Sequence, residues 1–259
     1  AHLRHELGDN SYAGMAKDLA RTKKIRAAIA AVDPATLSAQ AKVDREVVLY
    51  NIDSQIVGPE RFGLGSPQNP YALSQQGGVY FDLPDFLAST HPVKTADDAQ
   101  AYLDRLALMP RQIANETDVQ TREAAKGRVA PAFALDLVMA QMAKLRGQPA
   151  ATSGLVQSLA TRAKAANLPG DWAAKATAIV EKQVYPALDR QFALVKKLRA
   201  TARDDAHVGA WAIPGGDAIY AAALAQATTT NLSPDEVHRM GLEQVADLTA
   251  QLDTILKGQ

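Results

Sequence analysis

Cysteine is absent from the 259 residues. That excludes a disulfide framework, thiolate catalysis, iron–sulfur clusters and Cys-ligated zinc. It also fits an exported chain that avoids unpaired thiols. No run approaches the roughly 18 apolar residues of a membrane span, so no membrane span is expected. Neither charge is in excess, with 28 basic against 28 acidic side chains. Such a balance leaves no electrostatic footprint for nucleic acid or an anionic bilayer, and neither is expected as a partner. Residues 1–6 lack both an initiator Met and the charged-then-apolar pattern of a leader, which points to a processed or truncated start. The last eight residues, 252–259, still read as amphipathic helix, so the chain is expected to be cut rather than finished.

What is present is ordinary for a globular protein: 47% apolar and 22% charged residues, with 16 Gly and 13 Pro. Helical periodicity dominates. Residues 15–31 carry Met15, Leu19, Ile25 and Ile29 among charges, and Asp33-Pro34 reads as a helix start. The next stretch sets Val43, Val47, Val48 and Leu49 on one side, and Gly58-Pro59 stops it. Residues 58–93 are broken by repeated Gly and Pro and predict a long irregular segment, with a short extended piece at Val79-Tyr80-Phe81. Thr95 to Asp98 resembles a capping box, and the helix after it turns Ala99, Leu103, Leu106 and Ile113 inward, with Pro110 expected to bend it or end one turn. Pro131 opens another helix, and a shorter one covers about residues 152–166. Residues 169–203 carry one apolar stripe from Trp172 to Leu198, with Pro186 placed to kink it. Ser233-Pro234-Asp235-Glu236 combines N-cap Ser, Pro at N1 and Glu at N3, and starts a last amphipathic helix. The fold class expected is all-α, a multi-helix array of about eight to ten helices with one long Pro/Gly-rich loop at about 58–93.

The five histidines, His2, His5, His91, His207 and His238, never take the HExxH spacing that sets two imidazoles over one zinc. His2 and His5 stand i, i+3 at a terminus, while His91 and His207 read as surface or turn residues. The carboxylate pairs Asp97-Asp98 and Asp235-Glu236 lie in first helical turns, where the macrodipole favours anions, so capping explains them. Asp204-Asp205 falls in a solvated loop, and residues 211–216 suggest a tight turn before a helix. The residues alone therefore nominate no catalytic group and no metal ligand.

One resemblance adds to this. Tyr185-Pro186-Ala187-Leu188, the run Ile213-Pro214-Gly215-Gly216-Asp217-Ala218-Ile219-Tyr220, and the segment from Thr228-Thr229-Thr230 through Ser233-Pro234-Asp235-Glu236-Val237-His238 to Gly241-Leu242 together resemble the bacterial family called domain of unknown function 885 (DUF 885). The likeness extends over essentially the whole chain and is most specific over residues 185–259. It implies a helical, gluzincin-like zinc peptidase about twice this length, many of whose relatives are exported or lipid-anchored. The family's zinc-bearing His-Glu motif lies beyond the Thr segment and is not found in these 259 residues. The chain is thereby expected to be the N-terminal helical region of a larger protein, one wall of a peptide-binding cleft, inactive alone, with zinc carried by the remainder. Tyr220, Thr228, Thr229, Thr230 and His238 are the residues the resemblance places at the cleft, the Thr segment offering extended backbone to a peptide. The rival reading is a non-catalytic helical module that binds a peptide or protein partner. A periplasmic or envelope location is expected, with the cytoplasm as the alternative. An apolar face left bare by the missing half is expected to favour self-association.

Overall fold

The computed structural model describes residues 2–258, apart from the side chains of His2 and Asp205. Its regular elements are helices, and the described residues pair in extended fashion only at two isolated bridges, Ser66 with Asn69 and Ser74 with Gly77. In chain order they are α1 (Tyr12–Ala30), α2 (Ala39–Val57), α3 (Val79–Asp85), α4 (Ala96–Ala125), α5 (Ala132–Arg146), α6 (Gly154–Ala165), α7 (Trp172–Ile179), α8 (Tyr185–Arg199), α9 (Gly216–Thr228) and α10 (Pro234–Lys257). Because α7 and α8 are joined by the π turn Val180–Val184 into one rod, the array matches the helix number expected from periodicity.

The axis of the fold is α4. Tyr102, Leu106, Met109 and Ile113 of α4 are fully buried against Val138 and Met142 of α5, Val156 and Leu159 of α6, and Val180, Val184 and Leu188 of the α7–α8 rod. Thr95 and Asp98 form the expected reciprocal capping box at its start. Pro110 neither breaks α4 nor ends a turn. Its missing N–H and ring would destabilise an isolated helix. Here Leu106, Met109 and Ile113 are packed on both sides of it, and tertiary burial outweighs the local cost.

Several local expectations are corrected. The segment 58–93 is mostly ordered: a π turn Gly58–Phe62 extends α2, Val79–Phe81 opens α3 rather than a strand, and a second π turn, Phe86–Thr90, extends α3, leaving residues 63–78 and 91–93 irregular. Asp33 caps only one 3-10 turn, Pro34–Thr36, and the cap that starts α2 is Ser38, whose side chain accepts from the Ala41 N–H. On α2, Val43, Val47 and Val48 face solvent, and of that helix only Ile56 is buried. At Pro186 the widened turn solves the problem a proline creates: the Tyr185 N–H reaches back to the Val180 carbonyl, one residue further than in an α-helix. That change of register spares the Lys182 carbonyl from the pyrrolidine ring.

A small second core joins α9 to the irregular segment through Leu64, Ile213 and Ile219. Beyond it lies α10, whose Ser233–Glu236 capping box is formed as expected and no side chain of which is buried. Leu242, Val245, Leu248, Leu252, Ile255 and Leu256 are each 57–70% exposed along it.

Candidate functional site

The family-matched residues occupy the strip from α9 into α10. Gly215 adopts φ 72° as the residue before α9, and a Cβ on Gly216 would lie 1.8 Å from the Ala210 carbonyl oxygen, so this turn requires both glycines. Ile219 is buried in the second core, whereas Tyr220 is 49% exposed. Two bonds hold α9 to α2: the Tyr50 hydroxyl donates to the Ala225 carbonyl at 3.1 Å, and Gln226 donates to the Ser54 carbonyl.

The Thr segment is turned, not extended. Thr229 has φ 54°, in the left-handed region. The Thr228 hydroxyl donates to the Leu224 carbonyl at 2.9 Å. The Thr230 N–H donates to Thr228 Oγ1 and the Leu232 N–H to Thr230 Oγ1, each at 3.3 Å. These side chains thus satisfy the backbone donors that a docked strand would have used. His238 is exposed in the first turns of α10. None of Tyr220, Thr228, Thr229, Thr230 and His238 lines the two cavities described below.

The other histidines have local partners. His5 Nδ1 lies 2.6 Å from Asp104 and its Nε2 3.3 Å from Asp97, and the Asp104 bond holds its pKa above the usual value. The side chain of His2, its proposed companion, lies outside the described residues. His91 is buried rather than on the surface, 2% exposed. Its Nδ1 accepts from Arg105 at 2.8 Å and its Nε2 faces the Asp98 carbonyl at 2.9 Å. Both contacts require the neutral ring protonated on Nε2. Burial, then the nearby guanidinium groups, lower its pKa, against the pull of the Asp98 carbonyl. His207 pairs with Asp204 at 3.1 Å. Among the described residues no three His, Asp or Glu side chains gather closely enough to hold a metal ion, so these residues do not fit a zinc ion.

The chemistry that the sequence did not disclose lies on α4. Glu116, Gln120 and Glu123 continue the inward stripe past Ile113 at helical spacing, and that register was the available signal. Glu123 is 4% exposed and fully compensated: it accepts from Lys126 at 2.8 Å, from Tyr12 and from Arg128. Desolvation pushes its pKa up, but these three donors outweigh it and hold the pKa below the usual range.

Among the described residues Glu116 has no cationic partner. Its Oε1 accepts the Val79 N–H at 2.9 Å and its Oε2 accepts Gln191 Nε2 at 2.6 Å. Burial, only partly offset by those bonds and reinforced by Asp82, pushes it up to about 7. Gly78, at φ 131°, allows this approach: a Cβ there would sit 2.6 Å from Leu73 Cδ1 and 3.3 Å from Glu116 Oε1. Glu116 separates two cavities. One, of about 320 Å³, is lined also by Tyr12, Tyr71 and Glu123. The other, of about 640 Å³, runs between residues 7–10, α1, the start of α3 and α4.

The family model described as "Bacterial protein of unknown function (DUF885)" matches residues 1–259. Among solved structures, the "putative lipoprotein from Colwellia psychrerythraea" superposes with a TM-score of 0.90 at 21% identity, over 99% of this chain and 45% of that one. The chain thus spans less than half the length of that protein, and the likeness establishes a shared fold. No curated protein matches.

Proposed function

Because the chain belongs to the DUF885 family of bacterial proteins, we propose that it is the N-terminal helical portion of a longer zinc-dependent, peptidase-like protein, forming one wall of its peptide cleft and inactive alone. The observation that carries this reading is α10. A helix with a continuous apolar stripe and no buried residue lacks, within the described residues, the packing that stabilises such a stripe. The stripe begins where the family-matched Thr turn ends, and the part shared with the similar solved structure is 45% of that chain. In this reading residues outside the chain cover α10 and bring the metal, while Tyr220, the turn Thr228–Thr230 and His238 face the cleft from this side. The turned backbone shifts their proposed role from strand pairing to side-chain contact. None of the described residues would hold a zinc ion; one held elsewhere in the longer protein would supply Lewis-acid chemistry. Its ligands lie outside these residues.

The name of the Colwellia protein favours an envelope location for this one. Among the described residues no helix is long and apolar enough to cross a membrane. The alternative, a non-catalytic module for a peptide or protein partner, is favoured by the two open cavities lined by these residues alone. The deciding experiment expresses the whole open reading frame beside this chain and measures zinc content and peptide hydrolysis. One zinc per chain and hydrolysis in the longer protein only is the expected result. A reading frame that stops after Gln259, or a longer protein with neither property, overturns the reading.

A further inference from the structure

The larger cavity has an imbalance that its own residues do not correct. Asp9, Asp18, Asp82 and Glu116 line it, and no Lys, Arg or His does. Asp18 is paired outside it with Arg21 at 2.9 Å, and Asp9 accepts the Ser11 N–H at 3.0 Å and feels Lys17 and Arg111. Asp82 and Glu116 have only neutral donors. Asp82 Oδ2 accepts the Gly78 N–H at 3.0 Å, and Glu116 Oε1 accepts the next amide, Val79 N–H, at 2.9 Å. Two consecutive backbone amides thus hold two carboxylates side by side at the cavity wall. The Asp82 charge acts on Glu116, and among the described residues no cationic side chain is hydrogen-bonded to either carboxylate. A desolvated carboxylate beside a like charge is costly unless a counter-charge arrives. Leu7, Met15, Val79, Leu83 and Phe86 give the wall an apolar side, and the amides Asn10 and Gln112 also line it.

We propose that this cavity binds a primary ammonium group carried on an apolar stem, with Glu116 and Asp82 as its counter-charges and the Leu83–Phe86 side holding the stem. The carboxylates are too few and too dispersed for a metal ion, since no three ligating side chains cluster among the described residues. An ammonium needs only a pair of acceptors, and its attached methylenes match the apolar wall. About 640 Å³ is room for an amino-acid-sized group. The inference stands on these residues and is independent of the peptidase reading.

The test uses pentan-1-amine against pentan-1-ol, which have the same stem and differ in charge. Binding to the purified protein is followed by ligand-detected NMR at pH 8. The amine is expected to bind at least tenfold more tightly than the alcohol. Glu116→Gln and Asp82→Asn should each abolish that preference, with folding checked by circular dichroism; Asp82 is exposed, so its variant remains informative if the other fails to fold. Glu116 is faced by Asp82 from α3, Gln191 from α8, and Tyr12 and Glu123 across the smaller cavity. Amine affinity should therefore rise from pH 6 to pH 8 in the native protein and stay level in Glu116→Gln. Nα-acetyl-lysine amide and leucine amide, added as competitors, separate a side-chain ammonium from a chain-terminal one. Equal binding of amine and alcohol, binding of neither, a preference that survives both substitutions, or competition by neither derivative would overturn the proposal.

Discussion

Gln191 donates from Nε2 to Oε2 of Glu116 at 2.6 Å while its own Oε1 is buried without a partner. The pair ties α8 to α4 in the interior and leaves one acceptor orphaned beside one ionisable acid. Such a pair is better satisfied by a group that can donate as well as accept, either a protonated carboxyl or an amide.

Glu116→Gln is therefore expected to stabilise the protein at high pH. The folded pKa is raised, from 4.5 to about 7. Below pH 4.5 both states are protonated and nothing is lost. Between pH 4.5 and 7 the unfolded chain ionises first, so stability falls with rising pH, and above 7 the loss is constant at an upper bound of about 3 kcal/mol. Urea midpoints of native and variant protein should coincide near pH 4 and separate by pH 8 with the variant higher. A variant less stable at pH 8 contradicts this account of Glu116.

Glu123, seven residues further along the same face, should behave oppositely. Its folded pKa is lowered, so its contribution is present above about 4.5 and disappears as pH falls through the folded value. Glu123→Ala leaves Arg128, whose side chain is 10% exposed, without its counter-charge, for which about 3–5 kcal/mol is the usual penalty. Thermal melts at pH 7 should show that loss, and it should shrink toward pH 3.

His91 supplies a third pH signature. With its pKa lowered from 6.5, the ring is neutral in the fold, and stability that is complete above pH 6.5 is lost as pH falls below it. Imidazole ¹⁵N shifts should report the Nε2–H tautomer at pH 7. The opposite tautomer would contradict the Arg105 and Asp98 contacts.

These three residues also mark where sequence reading ends. The capping boxes at Thr95 and Ser233 were legible because each is a local pattern whose residues satisfy one another. So was the core stripe of α4 up to Ile113. Glu116 and Glu123 were missed because a charged residue at an inward position reads as the end of a stripe, and what makes it tolerable is distant: Gln191 lies 75 positions away and Tyr12 111. His91 was misplaced for the same reason, since Arg105 and the Asp98 carbonyl come to it only through α4. On α2, Val43 and Val47 have the period of a buried face yet are exposed, because period states which residues share a side and not what covers that side.

The same limit gives α10 its test. Leu106 and Leu252 both sit in apolar helical stripes, but Leu106 is fully buried and Leu252 is 59% exposed. Truncating Leu106 to Ala should cost about 2–5 kcal/mol, because it opens a cavity in packed surroundings. Leu252→Ala in this chain should cost under about 0.5 kcal/mol, as exposed substitutions do. Ser233→Ala, in contrast, should visibly lower helix content, because the capping box is worth about 1 kcal/mol to a helix with little packing behind it. Light scattering should show concentration-dependent association of this chain, reduced by Leu248→Glu on the same face. In the longer protein proposed above, Leu252→Ala is expected to become as damaging as a core truncation, because that reading covers the face. A strictly monomeric chain, or a Leu252→Ala cost that is the same in both lengths, would show that nothing seats on α10.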